Sequence, residues 1–247
     1  MTNDGFFRVW TQIGKHAQGS SVSVAHLCAT AMAVAGVDGV GVSLVAGPEA
    51  LEAFTTTDVV AARIEELQLV LGEGPAADAS AEGRPVLAVD LATAACAERW
   101  PAFAPAALAA GARAVIALPL QIGAIRLGVF TLYRVRPGGL SALELADALV
   151  IADTVCMLLL DHAAVAGPDA TGLAWRDGLP GSDAVVHQAT GMILVQLGVT
   201  AEVAFVRLRA YAYAQDRRLG DVARDVVARR LRFDPDQNPG AGVGEPV

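Results

Sequence analysis

"RAVIALPLQIGAIRLGVFTLYR", residues 113–134, decides the fold class. Two β-rich apolar runs flank a break around Gln121–Gly123, which reads as two strands joined by a hairpin. A hairpin pairs its strands antiparallel, so the sheet built on this stretch is antiparallel-rich.

Strands and helices alternate outward from this hairpin. "VDGVGVSLVA" (37–46) alternates β-branched residues between Gly36 and Gly47-Pro48 and predicts a strand, with a further strand near 51–56. "VVAARIEELQLV" (59–70) carries Val60, Ile64 and Leu67 at helical spacing and stops at Gly72. "GRPVLAVDL" (83–91) reads as a turn and a short strand, and "WPAFAPAALAAGA" (100–112) as a Pro-initiated helix ending at Gly111. In "SALELADALVIADTVCMLLLDH" (141–162), Ser141 is the N-cap of a helix and Glu144 completes its capping box. This order predicts an α+β fold, an antiparallel-rich sheet with helices packed on it. No internal repeat is visible.

Residues 16–37 lack charged side chains, long enough to raise a membrane span. Gln18, Ser20, Ser21, Ser23 and His26 crowd its first half, so 22–35 reads as an amphipathic core helix. The N-terminus has Asp4 and no basic segment before an apolar block, unlike a secretory leader. Cys28, Cys96 and Cys156 form no close pair, which fits a reducing compartment and a cytoplasmic protein without membrane attachment. Hydrophobic residues make up 54% of the chain and mean hydropathy is +0.46, enough for a packed core.

Net charge is −8, which for the whole chain argues against nucleic acid. The average hides a split. Residues 1–182 carry −8, residues 183–233 carry eight Arg against five acids, and residues 234–247 carry three acids and no base. Lys15 is the only lysine, so the preference for Arg says nothing; only the clustering does.

The basic stretch "HQATGMILVQLGVTAEVAFVRLRAYAYAQDRRLGDVARDVVARRLRF" (187–233) reads as three helices. Stepping 100° per residue puts Val185, Val186, Ala189, Met192, Ile193 and Leu197 on one apolar stripe and Gly191 opposite, near His187, Thr190 and Leu194. A mid-helix Gly costs about 1 kcal/mol against Ala. Close approach of another backbone explains it, and so does a tolerated glycine without a role. Leu194 and Val195 fall outside the stripe. The second helix starts at Thr200 as N-cap, with Ala204, Phe205, Leu208, Tyr211 and Ala212 on one face and Arg207 and Arg209 beside it. The third runs from about Asp221, with Val222, Val226 and Val227 inward and Arg224 and Arg232 outward; Arg217 and Arg218 lie in the loop before it. The arginines suit phosphate binding. Asp216, Asp221 and Asp225 are interleaved among them, so a solvated charged face fits equally well.

The same stretch resembles the ANTAR domain, an RNA-binding module of transcription antitermination regulators. Gln188-Ala189, Gly191, Gly198, Ala204-Phe205, Leu208-Arg209, Ala212, Leu219 and Val222-Ala223 carry the resemblance in family spacing. The family commonly has Lys where this chain has Thr190, so the contact expected from that Lys is missing. "ARIEELQLVLGEGP" (62–75), "VDLATAACAERWPAFAPAA" (89–107) and "GARAVIALPLQIGAIRLGVFTLYR" (111–134) resemble a GAF domain of the kind that precedes ANTAR modules. Relatives often have Cys where this chain has Ala76, which excludes thiol chemistry there.

Together the resemblances imply a GAF-like sensor over 1–162, a linker over 163–182, a three-helix ANTAR domain over 183–233 and a disordered tail over 234–247. They imply a signal-responsive antitermination regulator that binds structured RNA such as leader hairpins, and the exposed apolar positions add a homodimer. The alternative is a GAF sensor whose helical unit serves mainly dimerisation or protein-partner binding. The candidate RNA-binding residues are Ala189, Thr190, Gly191, Phe205, Arg209, Arg217, Arg218 and Arg224. A small-molecule ligand is expected in the GAF unit, its chemistry unnamed by the residues, and no metal is expected.

No Walker loop, GxGxxG, HExxH or nucleophile elbow is present. "LGEGP" follows a helix rather than a strand and lacks the Lys-Ser/Thr of a phosphate loop. His16, His26, His162 and His187 lack ligand spacing. Some GAF-fold proteins reduce methionine sulfoxide with cysteines, but Cys156 sits in an apolar helix stretch and Cys96 in a polar loop, so the chain is read as no enzyme. Asp90, Glu98 and Trp100 are read as structural.

Overall fold

A computed structural model describes residues 3–45, 51–166, 184–215 and 217–234. The chain divides into two compact units, residues 1–182 and 183–247.

The first unit runs α1 (Asn3–Ala17), α2 (Val24–Ala35), β1 (Gly39–Val45), β2 (Leu51–Thr56), α3 (Val59–Leu71), α4 (Pro75–Glu82), β3 (Val86–Ala88), α5 (Ala94–Arg99), α6 (Phe103–Ala109), β4 (Ala114–Ile122), β5 (Ile125–Arg134) and α7 (Ala142–Ala166). The strands form one sheet in the order β2-β1-β5-β4-β3, every neighbouring pair antiparallel. The hairpin closes at Ile122 and Ile125, around Gly123.

Side chains alternate across this sheet. Val40, Val42, Leu44, Ile116, Leu118, Leu120, Phe130 and Leu132 pack toward α1, α2 and α7. Val86, Ala88, Val115, Ala117, Val129 and Tyr133 pack toward α3, α4 and α6. Both faces are therefore covered, which is why β4 reads as an unbroken apolar run. Each large side chain wholly buried here, such as Phe130 or Leu118, contributes about 1.5–3 kcal/mol.

Local signals set most boundaries. Asp58 caps α3 through bonds from the Val60 and Ala61 amides at 2.8 and 2.9 Å. The expected box at α7 is present: the Ser141 amide donates to Glu144 Oε2 at 2.6 Å and the Glu144 amide to Ser141 Oγ at 3.2 Å. At α2 the box is built from Ser23 and His26. Helix α7 continues to Ala166, beyond the expected end at 162. Arg8 of α1 donates to the buried Asp147 of α7 at 2.6 Å, tying the first helix to the last of the unit.

Helices α1, α4 and α5 were not expected. The first contains Gly5 and Gly14, α4 is eight residues of mostly small side chains, and α5 is six residues long and buries none. Helix α6 starts after Pro101 rather than at it. The Glu73 carboxylate accepts from the Ala102 and Phe103 amides, both at 2.7 Å, and caps α6 from 29 residues away.

The second unit is three helices: α8 (Ala184–Leu197), α9 (Ala201–Ala214) and α10 (Leu219–Val227). Val186, Ala189, Ile193, Ala204, Leu208, Ala212, Leu219, Val222, Ala223 and Val226 form its buried interior. Thr200 caps α9 by accepting from the Val203 amide at 3.4 Å. The segment after α10 turns back: the Phe233 amide donates to Gln196 Oε1 at 2.9 Å, and its ring lies 5.4 Å from Tyr211. The expected linker beyond Ala166 and the expected tail beyond Asp234 lie outside the described residues.

Candidate nucleic-acid interface

The arginines of the second unit fall into two groups. Arg217 and Arg230 converge on Asp225, at 2.6 and 2.7 Å, and their bonds hold that carboxyl below its ordinary range, Arg217 first. Arg224 pairs with Asp221 one turn away on α10. Arg207, Arg218, Arg229 and Arg232 are exposed and make no ion pair among the described residues. Of the expected phosphate ligands, Arg218 is thus the one that is exposed and makes no ion pair among the described residues. Arg207, Arg229 and Arg232 join it on grounds of exposure, which charge pattern alone does not rank.

Helix α8 corrects one assignment. Ala189 is 0% exposed, packed in the three-helix interior, and its side chain cannot touch RNA. Its family match reflects packing. Thr190 is half-buried, and its hydroxyl donates to the Val186 carbonyl at 2.8 Å, a bond back onto its own helix. Gly191 is exposed, with no heavy atom within 4 Å of where a Cβ would stand. Nothing inside the unit requires glycine there, and an outside backbone has room to approach. Val195 is 78% exposed on the same outward side.

On α9, Arg209 lies 5.7 Å from the centre of the Phe205 ring, and burial pulls its pKa down. Phe205 and Arg209 are both half-buried, so they present an edge to the surface. The side of α9 turned away from the unit's interior exposes Val203, Val206 and Tyr213.

The first unit holds a different kind of site, an ionisable group inside the core. Glu65 of α3 is buried over Gly41 of β1, where any Cβ would collide with it. Ser43 Oγ donates to Glu65 Oε2. Gln68 Nε2 is buried without a hydrogen-bond partner among the described residues, and the buried Thr131 hydroxyl stands beside Ser43 as a group that eases the charge on Glu65. Burial drives the Glu65 pKa up. No local pattern marks this site, because Glu65 reads as one of two ordinary helix acids beside Glu66.

Other candidates resolve as structure. Burial pushes the Cys28 thiol up to about 12 and the Cys156 thiol to about 11, so neither is a ready nucleophile. Cys96 is half-buried on α5. Asp90 pairs with Arg113 at 2.7 Å, and the buried Trp100 donates its indole N–H to Asp78 at 3.1 Å. Among the described residues, no cluster of acids, histidines and cysteines could hold a metal, and no helix is long and apolar enough to cross a membrane.

This geometry agrees with what the chain is similar to. Residues 181–227 match the family model of the ANTAR domain. The fold is similar to a GAF domain of an Acinetobacter phosphoenolpyruvate-protein phosphotransferase, with TM-score 0.50 and 16% identity over 67% of this chain and 99% of that one. It is similar also to a GAF domain of the Coxiella burnetii phosphoenolpyruvate-protein phosphotransferase, with TM-score 0.51 and 13% identity over 67% and 99%. No curated protein matches the chain in sequence. The chain therefore places a GAF-fold unit ahead of a segment that matches the ANTAR domain model.

Proposed function

We propose that the chain is a signal-responsive transcription antitermination regulator. Its ANTAR unit, residues 183–233, binds a structured RNA such as a leader hairpin and keeps a terminator hairpin from forming. Its GAF unit, over 1–162, receives a signal and controls that binding, with 163–182 as the linker. The regulator acts in the cytoplasm without catalysing a reaction. The observation that carries this reading is the ANTAR match over 181–227, on a unit whose exposed Arg207, Arg218, Arg229 and Arg232 make no ion pair among the described residues, in an otherwise acidic chain.

The proposed RNA surface comprises Gly191, Thr190, the edge formed by Phe205 and Arg209, and the exposed Arg207, Arg218 and Arg232, with Arg217 and Arg224 available once their carboxylates are displaced. Phosphate contacts position an RNA and release counterions, so affinity should fall steeply with salt. Selection of stem-loop RNAs from a pool with randomised loops, on the full chain, tests the reading. Recovery of a common loop supports it, and no recovery above a protein-free control rejects it.

The regulator is further proposed to be a homodimer. On α7, Leu143 and Met157 are exposed along one side of the helix, and Phe6, Phe7 and Trp10 are exposed on α1. Such grouped apolar exposure marks partner surfaces. A second reading, in which the helical unit mainly binds a protein, draws on Val195, Val203 and Val206, all exposed there. The RNA selection separates the two.

A further inference from the structure

The two tyrosines of α9 lie two residues apart and meet different surroundings. Tyr211 is turned inward and packs its ring on Phe233 at 5.4 Å. Tyr213 is 57% exposed, in the last turn of α9, with no ring or cation contact among the described residues. Stepping 100° per residue puts it on the side of α9 opposite the buried Ala204 and Leu208, in line with Val206 and Ala210. The chain leaves the helix there and enters the loop that carries Arg217 and Arg218.

We propose that Tyr213 is a base-stacking residue: its exposed ring takes the face of an unpaired RNA base, while the exposed Arg218 holds a neighbouring phosphate. This rests on the RNA-binding reading and deepens it, because it says which RNA feature is read. An aromatic platform beside a positively charged track is how proteins hold single-stranded nucleic acid. Charge selects this occupant over a second copy of the same face. Self-pairing would bring Arg218, which makes no ion pair among the described residues, toward its own copy, whereas RNA supplies the opposite sign. A fully paired stem hides its base faces, so the contact favours loops and bulges.

The test uses the full chain and the stem-loop RNA recovered by selection from the randomised pool. Tyr213→Ala should weaken binding about ten-fold or more, the scale of one lost base stack. Tyr213→Phe should keep affinity, and Tyr213→Leu should lose it like Ala, because leucine offers apolar area without a π face. The salt slope should stay unchanged in Tyr213→Ala and fall by about one in Arg218→Ala. Wild-type affinity in Tyr213→Ala or in Tyr213→Leu would overturn the stacking role. So would a loss of affinity that tracks a change of oligomer mass by light scattering. Failure of the wild-type chain to recover any RNA would instead overturn the RNA reading itself, so the two failures are distinguishable.

Discussion

Arg217 Nη2 lies 2.6 Å from Asp225 Oδ2, across the loop from α9 into α10, and Arg230 approaches the other oxygen of the same carboxylate at 2.7 Å. One acid therefore engages two of the eight arginines of the basic segment. Asp225→Asn releases both. RNA affinity should rise and the salt slope should steepen by up to about two counterions. Nitrocellulose filter binding across a salt series checks this, and unchanged affinity in a folded variant would mean that neither arginine reaches RNA.

Gly191→Ala should stabilise the chain by about 0.5–1 kcal/mol, from helix propensity and a less flexible unfolded state. The open space around the missing Cβ removes any steric cost. If RNA backbone approaches there, affinity should fall in the same variant. Thermal melting beside RNA titration reads both, and a lower melting temperature would contradict the outward placement of this residue.

The buried Glu65 gives the chain a pH profile. Its folded pKa is raised, so between the ordinary value of 4.5 and the folded pKa the native state holds a proton that the unfolded chain has released. Stability should therefore decline as pH rises from 4.5 through that window, until the carboxyl ionises in the folded state as well. Glu65→Gln, which does not titrate, should flatten the decline. Melting temperatures from pH 4.5 to 8 compare the two chains; parallel curves would remove Glu65 as the cause.

Assembly is tested on α7. Light scattering of the full chain should give the mass of two copies. Leu143→Glu with Met157→Glu should give that of one, with unfolding unchanged because both side chains are exposed. A wild-type monomer at high micromolar concentration would contradict the dimer.

How much was legible follows the range of the interaction. The Ser141–Glu144 box, the Thr200 cap and the turn at Gly123 are written within a few residues, and each is where its signal puts it. Helix α6 begins late because its cap, Glu73, comes from far upstream, and no local pattern announces it. Helices α4 and α5 are too short to build a periodic signal. In the basic unit, register put Gly191 outward and the apolar stripe inward. Charge counting ranked all arginines alike, because pairing of Arg217 with Asp225 over eight residues depends on the loop between them. Ala189 belongs to the family pattern, yet its register on the apolar stripe points inward, and it is buried there.

The central claim is that the exposed arginines hold RNA in the cell. Ultraviolet crosslinking of the full chain to its transcripts, followed by sequencing, measures it directly beside an Arg207→Ala, Arg218→Ala, Arg232→Ala variant. Crosslinks should concentrate in hairpin loops just upstream of terminators and disappear in the variant. Equal crosslinking in both chains, or none above background in the wild type, would contradict the account.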